Sequence, residues 1–223
     1  MDLYLHIGEN IVIQPAIINS VLVIVCLCIF FIICGTKMNK ADPTKPSKGL
    51  VFFMEFAVSG IENIAHGMIG DKAGKYAPFI GFLIFYLPAV NLLGLTGLTT
   101  PTSNYSVTLP LALLTLTYIA CSGIRAKGLW GYLKDTFLGN VPALVVLTII
   151  GEMAKIVSLS FRLFGNILSG SIMIAIAVYM LSWFSIVIMP GLSFVFNIFA
   201  GLMQTLVFSV LTMIWLKGAT VRK

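Results

Sequence analysis

The sequence predicts an all-α, polytopic membrane protein: about five membrane helices plus one interfacial amphipathic helix, the last two long and steeply inclined as a hairpin. Three observations predict it. Of 223 residues, 59% are hydrophobic and 10% charged, with a mean hydropathy of +1.03, whereas soluble domains carry ~25% charged residues. Apolar stretches of ~20 residues or more recur, the length that crosses a ~30 Å hydrocarbon core. All but Lys155 and Arg162 of the fourteen Lys and Arg residues fall in connections or a tail assignable to one side, while the loops assigned to the other side hold none. That asymmetry places the N-terminus outside and the C-terminus in the cytoplasm. The formal charge of +6 is dispersed over these short loops, which argues against a nucleic-acid partner and for the lipid bilayer.

Residues 1–223 read as a single integral membrane domain. A first span covers 11–34 and is ended by the polar linker Gly35 to Ser47, with Lys37, Lys40, Lys45 and two prolines. Residues 50–69 differ, because Glu55, Ser59, Glu62, Asn63 and His66 recur at helical spacing while Phe, Val, Ile and Met fill the other face. Such a helix is expected to lie along the cytoplasmic interface rather than to cross. After the charged turn Asp71 to Lys75, residues 76–95 form a span carrying Pro78 and Pro88. The uncharged connection Thr96 to Ser106 leads into a return span over 107–124, followed by Arg125, Lys127, Lys134 and Asp135.

The remaining chain does not fit perpendicular spans. Residues 141–179 would make a helix of roughly 58 Å, nearly twice the hydrocarbon thickness. Residues 182–216 form a second overlong apolar element with Pro190 and Gly191 near its start. Two inclined helices accommodate both, and inclination that steep needs protein support.

Cys26, Cys28, Cys34 and Cys121 lie in or at the ends of apolar segments without C-x-x-C spacing, and are expected as free, buried thiols. The chain begins Met1-Asp2 and has Glu9 before its first apolar run, so no cleaved basic signal is expected and the first helix should persist.

The most informative residue is Arg162, deep inside the apolar stretch 141–179. No acidic residue follows Glu152 anywhere in the chain. A guanidinium does not deprotonate in a protein, and leaving it at membrane depth costs at least ~3 kcal/mol on insertion scales. Its countercharge is therefore expected on another polypeptide. At 100° per residue, Thr148, Gly151, Lys155, Ser158, Asn166 and Ser169 all fall within about 40° of Arg162, forming a polar stripe. Glu152 can pair with Lys155 at i,i+3, but lies roughly 15 Å along the axis from Arg162. Ser193, Asn197 and Gln204 follow at spacings that put them on one face of the last long helix, with Gly201 nearby. Serine, asparagine and glutamine also serve simply to bond helices together in membranes. Ser160 and Ser171 point away from Arg162, where a second polar surface is expected.

The run Ser158-Leu159-Ser160-Phe161-Arg162-Leu163-Phe164-Gly165-Asn166 resembles subunit a of F-type ATP synthases. The stretch Gly70 to Ile80 leading into Asn91-Leu92-Leu93-Gly94-Leu95, and Pro101-Thr102 followed by Thr108 and an apolar helix, are similar to the same family. The resemblance covers nearly everything from Glu55 onward. It implies a stator beside a rotor ring of c subunits, each with one ion-binding carboxylate, together with peripheral-stalk b subunits and the other ATP synthase subunits, in a bacterial inner membrane. Arg162 would face the ring carboxylates, displace the ion from each, and block direct leak between two offset half-channels. A unit charge crossing 100 mV releases about 2.3 kcal/mol, so a leak would dissipate the drive. Asn166 and Gln204 would flank and orient the arginine; Asn197, Ser171, Ser169, Glu152 and Lys155 complete the expected ion-translocation set.

The chain departs from the family's pattern in three places. Ser171 stands where many relatives carry glutamate, Asn197 where they carry histidine or a second acid, and Asn104 replaces the acid of the Pro-Thr-x-Asp segment. A titrating relay is thereby lost, and oxygen-rich side chains suit hydrated Na⁺ as well as a water-borne proton, so the coupling ion is H⁺ or Na⁺.

Other classes fare worse. No G-x-x-x-x-G-K-[ST] loop exists for ATP, so the chain is expected to be a non-catalytic subunit without a cofactor. A stand-alone secondary transporter is the alternative, but it would show related halves, and none is discernible. His6 and His66 offer no metal site or nucleophile–base pair.

Overall fold

The computed structural model describes residues 5–6, 12–40, 49–70, 73–96, 100–138 and 145–220. Two-residue strands β1 (Leu5–His6) and β2 (Val12–Ile13) pair antiparallel; everything else of regular structure is helical. The helices are α1 (Pro15–Asn39), α2 (Leu50–Ile69), α3 (Ala73–Leu92), α4 (Tyr105–Lys127), α5 (Leu129–Leu133), α6 (Val145–Leu181), α7 (Ser185–Phe194) and α8 (Ala200–Thr220). Among the described residues five of them, α1, α3, α4, α6 and α8, are long and apolar enough to cross a membrane.

Helix α1 begins at Pro15, whose missing N–H costs nothing in the first turn. It continues past Cys34, where the composition had suggested a stop, and the Thr36 hydroxyl bonds back to the Ile33 carbonyl in this added turn. Only one edge of α1 is buried, with Ala16, Ser20, Val23 and Cys34 turned inward and the Ser20 hydroxyl 2.7 Å from the Tyr86 hydroxyl of α3. The expectation of buried thiols therefore holds for Cys34 alone. Cys26, Cys28 and Cys121 are free but exposed, because they sit on the outward, lipid-compatible faces of α1 and α4.

Helix α2 buries Met54, Ile61, Ala65 and Ile69, successive spacings of seven, four and four that form one helical face, against α3 and α8. Its polar residues are exposed, and so are Phe52, Phe53 and Phe56 beside them. This combination of one packed face, one polar face and exposed aromatic rings suits a helix at a membrane interface.

The core sits where α3, α4, α6 and α8 meet. One cluster contains Leu83, Leu87, Val90, Leu111, Leu159, Leu163 and Phe208; a second, toward the lysine-bearing ends of α4 and α8, contains Ile80, Ile119, Met213 and Leu216. Helix α6, at roughly 55 Å for its 37 residues, exceeds a ~30 Å hydrocarbon core and fits only if inclined. It buries just Leu159, Ser160, Leu163 and Gly170. The second arm of the hairpin is not one regular helix: a π turn at Val195–Phe199 separates α7 from α8. An extra residue in that turn breaks the regular spacing that would have aligned Ser193 and Asn197 with Gln204. Pro190, one turn earlier, already lacks a backbone donor.

Candidate functional site

Helix α6 carries the site. Arg162 is half-buried in its middle, and no acidic side chain among the described residues pairs with it. Glu152 is taken: it forms an ion pair with Lys155, one turn apart, each side chain about one third exposed (33% and 32%). Lys155 Nζ also lies 5.7 Å from the centre of the Trp215 ring of α8, within cation–π range. The guanidinium therefore finds no partner in the nearest acid of its own helix.

One turn beyond, the Asn166 amide of α6 donates to the Gln204 carbonyl oxygen of α8, joining the two arms of the hairpin. Gln204 is only 3% exposed, and its Nε2 has no hydrogen-bond partner. Two further serines, Ser169 on the stripe and Ser171 on the opposite side of α6, do something simpler. Ser169 Oγ donates to the Gly165 carbonyl at 2.6 Å and Ser171 Oγ to the Leu168 carbonyl at 2.9 Å; both residues are exposed. Ser158 is exposed as well. Asn197 lies in the π turn, and its side chain falls outside the described residues.

Beside Arg162, Gly151, Ala154, Ser158, Gly165 and Ser169 occupy one flank of α6 within about 80° of it. A Cβ added at Gly151 or Gly165 would meet nothing within 4 Å. This flank is open and low.

Two features were not anticipated from the sequence. At the end of the bundle carrying residues 100–106, Thr102 Oγ1 donates to Asn91 Oδ1 at 2.9 Å, and Asn91, 2% exposed, keeps its Nδ2 without a partner. Asn91 can approach α8 because residue 201 is glycine: a Cβ there would lie 2.9 Å from Asn91 Cβ. Nearby, Asn104 caps α4 by accepting from Ser106 N at 2.9 Å and donates from its amide to Gln14. A lone amide in an apolar run was the available signal for Asn91. Thr108 and Ser160 approach to 3.5 Å across α4 and α6, which identifies the surface opposite Arg162 as a helix–helix seam.

The second feature is a cavity of about 740 Å³ at the opposite, lysine-bearing end, between α4, α6, α8 and the α5 segment. Lys127, Lys134, Asp135, Glu152 and Lys155 line it, with Leu116 and Ile119 deeper in. Lys127, its side chain only 6% exposed, bonds Asp135 at 3.0 Å. The Tyr132 ring fills the space that a side chain at position 123 would occupy. Burial pushes the Tyr132 phenol above its ordinary pKa, Glu152 adds to the rise, and a hydrogen bond to Thr136 opposes it. No group of three His, Cys, Asp or Glu side chains suited to a metal occurs among the described residues.

Residues 17–217 match the sequence profile of the family described as ATP synthase A chain. Among similar proteins, ATP synthase subunit a of Helicobacter hepaticus is 36% identical over 181 residues, covering 78% of this chain and 77% of that protein. The Helicobacter pylori (strain P12) protein of the same description is 34% identical over 205 residues, covering 88% and 86%.

Proposed function

The chain belongs to the ATP synthase subunit a family, and from that membership we propose that it is the stator that passes ions to and from a rotor ring of c subunits. Arg162 faces the ring carboxylates along the low flank of α6. Each arriving carboxylate meets a fixed guanidinium, gives up its ion, and stays empty while it passes the arginine to the other half-channel. The ion cannot cross directly, because a cation in low dielectric repels it. Transport then requires rotation, and ATP is made or consumed on other subunits of the complex. Asn166 and Gln204 hold the arginine's surroundings; the cavity bearing Glu152 and Lys155 serves the cytoplasmic side, and the polar groups around Asn91 and Asn104 serve the outside. Peripheral-stalk b subunits hold the stator in a bacterial inner membrane, N-terminus outside.

The observation that carries this reading is Arg162 itself, half-buried, with Glu152 already engaged by Lys155. The test is ATP-driven ion pumping by the complex reconstituted in liposomes. Arg162→Ala and Arg162→Lys should both abolish pumping while the subunit remains assembled, since an ammonium lacks the planar fork. A pumping Arg162→Ala complex would end the proposal. The coupling ion is H⁺ or Na⁺, and protection by Na⁺ against a carboxyl reagent marks the sodium case.

A further inference from the structure

The interior of the bundle divides into two polar compartments with an apolar layer between them, and four helices place that layer at the same depth. On α8, Gln204 precedes Phe208 by one turn and Trp215 follows it by two, at the inner cavity. On α6, Asn166 is followed toward the N-terminus by Leu163 and Leu159, then by Lys155 and Glu152. On α3, Asn91 stands above Leu87 and Leu83; Thr102, in the turn before α4, and Thr108, on α4, precede Leu111, and Leu116 begins the cavity wall. Phe208, Leu83 and Leu87 are fully buried (0%), and Leu159 and Leu163 are 1% exposed. The hydroxyls at this depth are mostly engaged within the protein: Thr115, Thr205 and Thr212 each donate to a carbonyl one turn back in their own helix, Thr108 and Ser160 face each other, and the Ser209 hydroxyl stands isolated without a partner.

We propose that Phe208, clamped by Leu159 and Leu163, is the central plug of an internal seal that keeps water in the outer compartment from meeting water in the inner cavity. The seal rests on the reading of this chain as an ion-translocating stator, and adds to it a second barrier that Arg162 does not provide. Arg162 stands at the ring-facing flank and repels ions there; it leaves the route through the middle of the four helices unguarded. The two orphaned amide donors, Asn91 Nδ2 and Gln204 Nε2, are groups that bind water oxygen, so the outer compartment is wet down to the layer. The cavity beyond is lined by charged groups and is wet from the other end. Only the close packing of the layer's apolar side chains stops the two from joining, and ions are then forced sideways to the ring.

The test uses the whole complex in liposomes, without ATP, with the ring carboxylates blocked by a carboxyl reagent so that no ion passes by rotation. Decay of an imposed pH gradient or Na⁺ gradient is followed. An apolar void stays dry, so Phe208→Leu should remain as tight as the parent. Phe208→Asn supplies a polar group that bridges to Gln204, and should speed the decay at least about tenfold, with Arg162 intact. Leu163→Asn, on the other arm, should do the same, which keeps the test available if one variant does not assemble. Tight membranes from an assembled Asn variant, or decay just as fast in the parent complex, would overturn the seal. Neither result would touch Arg162, whose own test is pumping.

Discussion

The Asn166 side chain donates to the Gln204 carbonyl oxygen across the hairpin, one turn from Arg162, and leaves Gln204 Nε2 buried without a partner. The two amides are thus one unit. Replacing Gln204 by Leu removes a buried donor and acceptor together, a change that packing tolerates, whereas Asn166 at the exposed edge can turn to solvent. Gln204→Leu should leave assembly intact and slow pumping. In a double-mutant cycle, Asn166→Leu and Gln204→Leu should couple by about 0.5–1.5 kcal/mol in pumping rate. Strict additivity would show that the bond has no role.

Gly201 is required by Asn91. A Cβ at position 201 would stand 2.9 Å from Asn91 Cβ and 3.2 Å from its Nδ2, so Gly201→Ala must spread α3 from α8. The expected cost is roughly 1–3 kcal/mol, read as a lower thermal midpoint of the detergent-solubilised complex. Adding Asn91→Gly, which removes the opposing Cβ, should recover part of it. An unchanged midpoint for Gly201→Ala would mean that the close approach is not needed.

Lys127 and Asp135 hold the lysine-bearing end of α4 and the segment after α5 together. The lysine is almost wholly buried and the aspartate nearly half exposed (6% and 45%). Asp135→Asn should therefore cost more than the ~0–1 kcal/mol of an exposed pair and less than the ~3–5 kcal/mol of a buried one. Lys127→Met with Asp135→Leu should restore stability, because no charge is then stranded. Equal losses in the single and double variants would contradict this account.

Tyr132 gives a pH signature. Its phenol lies above the ordinary pKa, chiefly because burial disfavours the charged form. The stabilisation by the neutral ring is complete below the unfolded value of ~10 and is lost as pH climbs through the raised folded value. Tyr132→Phe should flatten the fall in thermal midpoint on the alkaline side. Identical alkaline profiles would show that Tyr132 is not the group responsible.

Membrane class, helix count and the arginine helix were legible because they rest on composition, run length and one uncompensated charge. The Glu152–Lys155 pair was legible because i,i+3 spacing on a helix is local geometry. Contacts between distant helices left weaker marks. Asn91 entered only as the first residue of the Asn91-to-Leu95 stretch, and nothing local tied it to Thr102 or Gly201. The π turn at Val195–Phe199 was invisible to a uniform 100° wheel, which is why the expected alignment of Asn197 with Gln204 does not follow. The exposed cysteines were misjudged because burial from water and burial within protein are separate matters in a bilayer.

The low flank of α6 has a mechanical side. Interlocking knobs and holes make an interface strong, yet every interlock is a step that a turning neighbour must climb. Gly151, Ala154, Ser158, Gly165 and Ser169 offer almost no relief, and a Cβ at either glycine would touch nothing of the chain itself. A surface so smooth forgoes grip, and a ring pressed against it would glide with little friction between one charge encounter and the next.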